Sequence, residues 1–114
     1  MISAIDSFVL HGVDALLCSV EAGVGTESRP STTVVGLPDT AVRESVERVR
    51  TAMENSGFEF PIGRVVVNLA PADLRKEGPA YDLPIAVALL GAIGVLTPEG
   101  RRRASHCVMA GELA

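Results

Sequence analysis

The densest run of reactive side chains in the sequence is Asp73, Arg75, Lys76 and Glu77, followed closely by Asp82. Carboxylates, a guanidinium and the chain's only lysine at this spacing suit contact with a ligand or partner, and loops held by a rigid scaffold often carry such contacts. Mutual ion pairing and capping of the next helix account for the same residues without a ligand, so the stretch is a candidate interaction loop and not a defined catalytic centre. His11 and His106 stand apart from any cluster of ligand-type residues, which gives no basis for a metal. Cys18 and Cys107 are far apart, with no CxxC spacing. That gives no indication of a disulfide framework or zinc site, fits a reduced cytoplasm, and leaves both as small buried apolar residues on strands. A phosphate-cradling loop needs closely spaced glycines and a following GK[ST]. Gly23-Val-Gly25 lacks the third glycine, and Lys76 is followed by Glu77. These residues are therefore not expected to hydrolyse ATP on their own, and no cofactor or metal site is assigned to them.

The 114 residues are 47% apolar and 21% charged, enough for one core and one domain spanning 1–114. A net charge of −4 argues against a general nucleic-acid or membrane binder. The run Arg101 to Arg103 is short and reads as a solvated turn. The N-terminus has no Lys or Arg ahead of its apolar residues and carries Asp6 and Asp14 among them, unlike a secretory signal. The longest apolar stretch, Leu83 to Leu96, contains Pro84, Gly91 and Gly94, and falls short of the roughly 20 residues that span a bilayer.

The elements that must hold the loop follow from periodicity. Residues 3–10 and 13–20 alternate enough to predict a hairpin turning at His11-Gly12, and 23–31 is an aperiodic loop before a third strand over 32–36. Pro38 and Asp39 mark the start of a helix running to Ser56. Val42, Val46, Val49 and Met53 form its buried stripe, while the opposite face pairs Arg43 with Glu47, Glu44 with Arg48, and Arg50 with Glu54. Arg64 to Leu69 reads as a strand buried on both faces. Asp82 caps a core helix over 85–96, Thr97 to Gly100 is a turn, and His106 to Ala110 is a last strand. The expected fold class is an α/β (α+β) two-layer sandwich in the order βββαβαβ. The abrupt end on an apolar strand exit suggests a domain excised from a longer chain.

Several strings carry a family pattern: Val35-Gly-Leu-Pro-Asp39, Val42-Arg-Glu-Ser45, Glu47-Arg-Val-Arg50, Ser56-Gly-Phe58, Val67-Asn-Leu-Ala-Pro-Ala-Asp-Leu-Arg-Lys-Glu-Gly78, Tyr81-Asp-Leu-Pro-Ile-Ala86 and Gly111-Glu-Leu-Ala114. On these the chain resembles the N-terminal domain of the ComM/YifB family of magnesium-chelatase-like AAA+ ATPases. The segment 23–31 departs from the pattern, being longer and more polar. The resemblance implies a fold like the Lon protease domain and the second domain of a small-subunit ribosomal protein, with a left-handed crossover. It also implies a following AAA+ module that binds ATP and magnesium and forms hexamers, so that this module, neighbouring subunits and DNA become the expected partners, in the cytoplasm and in DNA recombination during competence. In Lon-like proteases the serine nucleophile follows a Lys-Asp-Gly-Pro string; here Lys76-Glu-Gly-Pro79 is followed by Ala80. Lys76 shows no sequence sign of the apolar burial that would make it a base.

Three functions are open at this point. The chain is a non-catalytic, partner- or substrate-handling domain of a motor ATPase, a Lon-like serine peptidase domain, or a stand-alone ligand-binding protein. Direct DNA contact by these residues is expected to be weak.

Overall fold

A computed structural model describes residues 2–27 and 29–114. Strands β1 (Ile2–His11) and β2 (Asp14–Val24) form a long antiparallel hairpin. Gly12, at φ 64°, opens its two-residue turn, where a left-handed backbone costs glycine nothing. β3 (Ser31–Val35) leads into α1 (Thr40–Asn55), which returns to β4 (Arg64–Ala70). β4 lies between β2, antiparallel, and β3, parallel, giving one four-stranded sheet in the order β1-β2-β4-β3. A 3-10 turn (Pro79–Tyr81), α2 (Asp82–Ala92) and α3 (Pro98–Ser105) follow. The molecule is mixed α/β, as the periodicity predicts.

The core forms where one face of the sheet meets α1 and α2. Ile5, Cys18, Val20, Ala22, Val65, Val67 and Leu69 project from the strands toward Val42, Val46, Val49 and Met53 of α1 and Ile85 and Leu89 of α2. The predicted stripe on α1 is therefore the buried one, and Asp39 caps the helix as expected, accepting a hydrogen bond from Val42 N at 2.8 Å. Of its expected ion pairs, Glu44 with Arg48 forms, while Arg50 takes Glu47 in place of Glu54. Glu44 lies 3.9 Å from Arg48, Arg50 pairs with Glu47 at 3.6 Å, and Arg50 also stacks 4.1 Å above the Phe60 ring. The stacking draws Arg50 toward the 58–63 crossing and away from Glu54.

Four sequence expectations need correction. β4 is buried on one face only: Val65, Val67 and Leu69 are inside while Asn68 is exposed, because the described helices cover a single face of the sheet. The stretch 97–103 is not a turn but the start and body of α3, on which Arg101 to Arg103 are solvated as expected. Thr97 Oγ accepts from Gly100 N at 3.0 Å, Pro98 occupies the first helical turn, and Arg102 and Arg103 sit at the C-terminal end where the helix dipole favours cations. The expected last strand over 106–110 is a single parallel bridge from Val108 to Asp6, since the chain leaves β1 after Met109 to bond with residues 80–83 instead. Cys107, expected to be buried, is exposed; Cys18 is buried.

Candidate functional site

Two loops meet at the C-terminal ends of β3 and β4. Gly36 takes φ 115° and lies so close to β4 that a Cβ there would fall 2.0 Å from the Leu69 carbonyl oxygen. Only glycine fits. Leu37 follows at φ 58°, a conformation that branched and bulky residues rarely adopt, and the residue is 53% exposed. The loop is held there by backbone bonds to the 73–78 stretch: Lys76 N donates to Leu37 O and Asp39 N donates to Lys76 O, both at 3.0 Å. Asp39 ties the two together with its carboxylate, one oxygen on Val42 N and the other accepting from Gly78 N at 3.0 Å.

The structure divides the five residues of the candidate interaction loop. Asp73, Arg75 and Glu77 are exposed, and Arg75 pairs with Glu77 at 3.2 Å. Lys76 and Asp82 are fully buried. A surface contact on this loop can therefore use the first three only, and the absence of burial expected for Lys76 is corrected: its stem lies inside and its ammonium donates to Pro71 O. Burial drives its pKa below the ordinary lysine value, opposed by the nearby Cys18 thiol and Asp73. Burial likewise raises the Cys18 thiol, and pushes the Tyr81 phenol up to about 12. Tyr81 donates to Phe8 O at 3.1 Å, which locks the 79–81 turn to β1.

Asp82 does not cap α2. It accepts from Arg48 Nε at 2.7 Å, from Arg48 Nη2 at 3.0 Å and from Leu113 N at 3.0 Å. The two-pronged guanidinium contact and the amide satisfy a carboxylate that would otherwise be costly to bury. Leu83 N donates to Gly111 O, and Gly111 N to Ala80 O at 2.8 Å. Asp82 thus joins α1, α2 and the 111–113 segment at one point. The sequence placed Arg48 on a solvated helix face, and no local pattern marks it as the partner of a carboxylate 34 residues away.

Ala80 lines a cavity of about 220 Å³ with Phe8, Val9, Leu10, Arg75, Glu77 and Tyr81. A more open cavity of about 410 Å³ is bounded by Leu37, Pro38, Asp39, Thr40, Arg43 and Arg75. His11 and His106 join no metal-type cluster among the described residues, and no described helix is long and apolar enough to cross a membrane.

Residues 20–114 match the family described as Subunit ChlI of Mg-chelatase. The protein named Uncharacterized protein YifB of Salmonella typhimurium is 54% identical over 86 residues, which cover 75% of this chain and 17% of that protein. The YifB protein of Escherichia coli is 48% identical over 103 residues, 90% of this chain and 20% of the relative. Competence protein ComM of Haemophilus influenzae is 48% identical over 81 residues, 71% of this chain and 16% of the relative. The chain thus spans about a fifth of the length of these curated relatives. With the family pattern matched over residues 20–114 and carried by YifB and ComM relatives at this identity, the chain belongs to the ComM/YifB family of magnesium-chelatase-like proteins and corresponds to its N-terminal domain.

Proposed function

We propose that this chain is the non-catalytic, partner- or substrate-handling domain of a ComM-type AAA+ ATPase that acts in DNA recombination during competence, in the cytoplasm. ATP and magnesium bind a separate module in this reading, and that module and the neighbouring subunits of a hexamer are the domain's immediate partners. The observation that carries it is the family match over residues 20–114, together with the name of the Haemophilus relative. The absence of a GK[ST] string supports assigning nucleotide chemistry elsewhere. A mixed sheet with β3 and β4 parallel and joined through α1 is compatible with the Lon-like fold. The net charge of −4 supports at most weak DNA contact by these residues. The test replaces the matching segment of Haemophilus ComM with these 114 residues and measures natural transformation. The chimera should restore transformation well above a strain lacking the segment; equal values in the two strains overturn the reading.

One observation favours the peptidase alternative: Lys76 is buried with a lowered pKa, the state a lysine base requires. Against it, the ammonium is engaged by Pro71 O, and Ala80, at the position of the Lon-like nucleophile, has no hydroxyl. Purified wild type and Ala80→Ser should both leave casein intact. Cleavage by wild type that is lost on mutating a residue of the 73–82 loop would establish the peptidase instead.

A further inference from the structure

We infer that the edge of β1 over Phe8 to Leu10, with the cavity beside it, binds an extended polypeptide segment by strand addition and holds it without cleaving it. The inference rests on the partner-handling reading and names the partner's chemistry. It begins with the register of the hairpin. A two-residue turn closes on the His11–Asp14 pair, so His11, Val9, Ser7 and Ile5 exchange backbone bonds with β2, and the residues between them turn their N–H and C=O groups outward. Two bonds agree with this alternation: Asp6 O accepts from Met109 N at 2.9 Å, and Phe8 O accepts from the Tyr81 hydroxyl.

The segment around Val108 therefore covers the β1 edge at Asp6 and then leaves it. Gly111 is already bonded to Ala80 and Leu83. Beyond that departure, Phe8 N–H and both backbone groups of Leu10 face outward with no hydrogen-bond partner among the described residues. Unpaired edge groups of this kind template another strand.

The side chains specify what that strand should carry. The cavity of about 220 Å³ opens at this edge, walled by Phe8, Leu10, Ala80 and Tyr81 and rimmed by Arg75 and Glu77. It is smaller than the usual small-molecule site of about 300–1,000 Å³, and its size suits one apolar side chain. Its two charges cancel, so nothing here favours a phosphate backbone. Phe8 is 38% and Leu10 71% exposed, apolar surface that an incoming strand would cover. An extended polypeptide with an apolar residue seated against Ala80 and Tyr81 meets all of these conditions, and Ala80 supplies no nucleophile to cut it.

The opposite edge of the hairpin supplies the control. β4 pairs with β2 only from Ser19 onward, so the backbone of Leu17 also faces outward. The 114-residue chain is titrated into fluorescein-labelled unfolded casein and followed by anisotropy, with Leu10→Pro, Ala80→Trp and Leu17→Pro as variants. Proline at Leu10 or Leu17 removes only an outward N–H, which edge strands tolerate, and Ala80→Trp fills the cavity while leaving the strands unchanged. Micromolar binding is expected, weakened at least about tenfold by Leu10→Pro and by Ala80→Trp and unchanged by Leu17→Pro. Bound casein should also slow hydrogen exchange at the Phe8 and Leu10 amides. No binding up to millimolar protein overturns the inference, as does binding that neither Leu10→Pro nor Ala80→Trp weakens, or that only Leu17→Pro weakens. Transformation by the ComM chimera decides the partner-handling reading separately, so failure of strand addition leaves that reading intact.

Discussion

Removing Arg48 should destabilise this protein more than neutralising the carboxylate it binds. Asp82 has no solvent exposure and accepts three hydrogen bonds, two of them from Arg48, whose own side chain is 25% exposed. Arg48→Ala leaves a buried negative charge held by Leu113 N alone. Breaking a buried pair in this way costs about 3–5 kcal/mol. Asp82→Asn keeps an oxygen for Arg48 Nε and Leu113 N but turns an amide toward Arg48 Nη2. That nitrogen also donates to Ala41 O at 2.8 Å and contacts Ser45 Oγ at 3.2 Å, and the guanidinium can reach water, so the loss should be about 1–3 kcal/mol. At roughly 4 °C per kcal/mol for a domain of this size, Arg48→Ala should lower Tm by about 12–20 °C and Asp82→Asn by less than that. Urea unfolding followed by circular dichroism gives the free energies. Hydrogen exchange at Leu113 reports whether the 111–113 segment has detached. Replacing both residues, with Arg48→Met and Asp82→Leu, should recover stability relative to Arg48→Ala because no charge is left buried. A loss below about 1 kcal/mol for Arg48→Ala, or one smaller than for Asp82→Asn, would refute the reasoning by showing that water can reach the carboxylate.

Val46→Ala should cost about 1–3 kcal/mol by thermal melting, from lost burial and a residual cavity, whereas Glu47→Ala, 76% exposed, should stay within about 0.5 kcal/mol. Gly36→Ala must either move β4 or relax the φ of 115°, and should cost at least about 2 kcal/mol. Gly57→Ala, at φ 86° with open space around it, should cost only about 1 kcal/mol. In alkali the unfolded chain ionises Tyr81 near its ordinary pKa of 10, while the folded chain holds the proton to about 12. The unfolded state therefore binds fewer protons, and this residue's contribution to stability is lost as pH rises through that window, at about 1.4 kcal/mol per pH unit. Urea titrations between pH 9 and 11.5 should show a shallower descent above pH 10 for Tyr81→Phe; an unchanged slope would mean that the phenol is not shielded. Within the same range the raised Cys18 thiol lowers stability as pH climbs above its ordinary value and the lowered Lys76 raises it as pH climbs toward its ordinary value, and both groups are present in the two proteins compared.

What the sequence determined by itself was local. The α1 stripe Val42, Val46, Val49, Met53 and its Asp39 cap need only a 3.6-residue period and a side chain placed three residues before the amide it receives. The hairpin needs only short alternating runs and β4 only a short β-branched one, though its single buried face was not legible, and the family pattern lay in strings long enough to identify without any structure. Tertiary structure decided everything that depended on residues distant in the chain. Lys76 looked like a surface charge because its neighbours are charged, and it is buried because two loops bond on either side of it. Arg48 looked like half of an i,i+4 pair with Glu44, which it is, but it also reaches Asp82, since α1 and α2 pack side by side on the same sheet face. The segment 106–110 had the composition of a strand, yet pairing requires an edge to follow. It keeps β1 company only at Asp6, because bonds to Ala80, Asp82 and Leu83 hold the 111–113 segment elsewhere. The exposed stretch of β1 edge left behind is a consequence of that competition, and no period or motif in the sequence could have shown it.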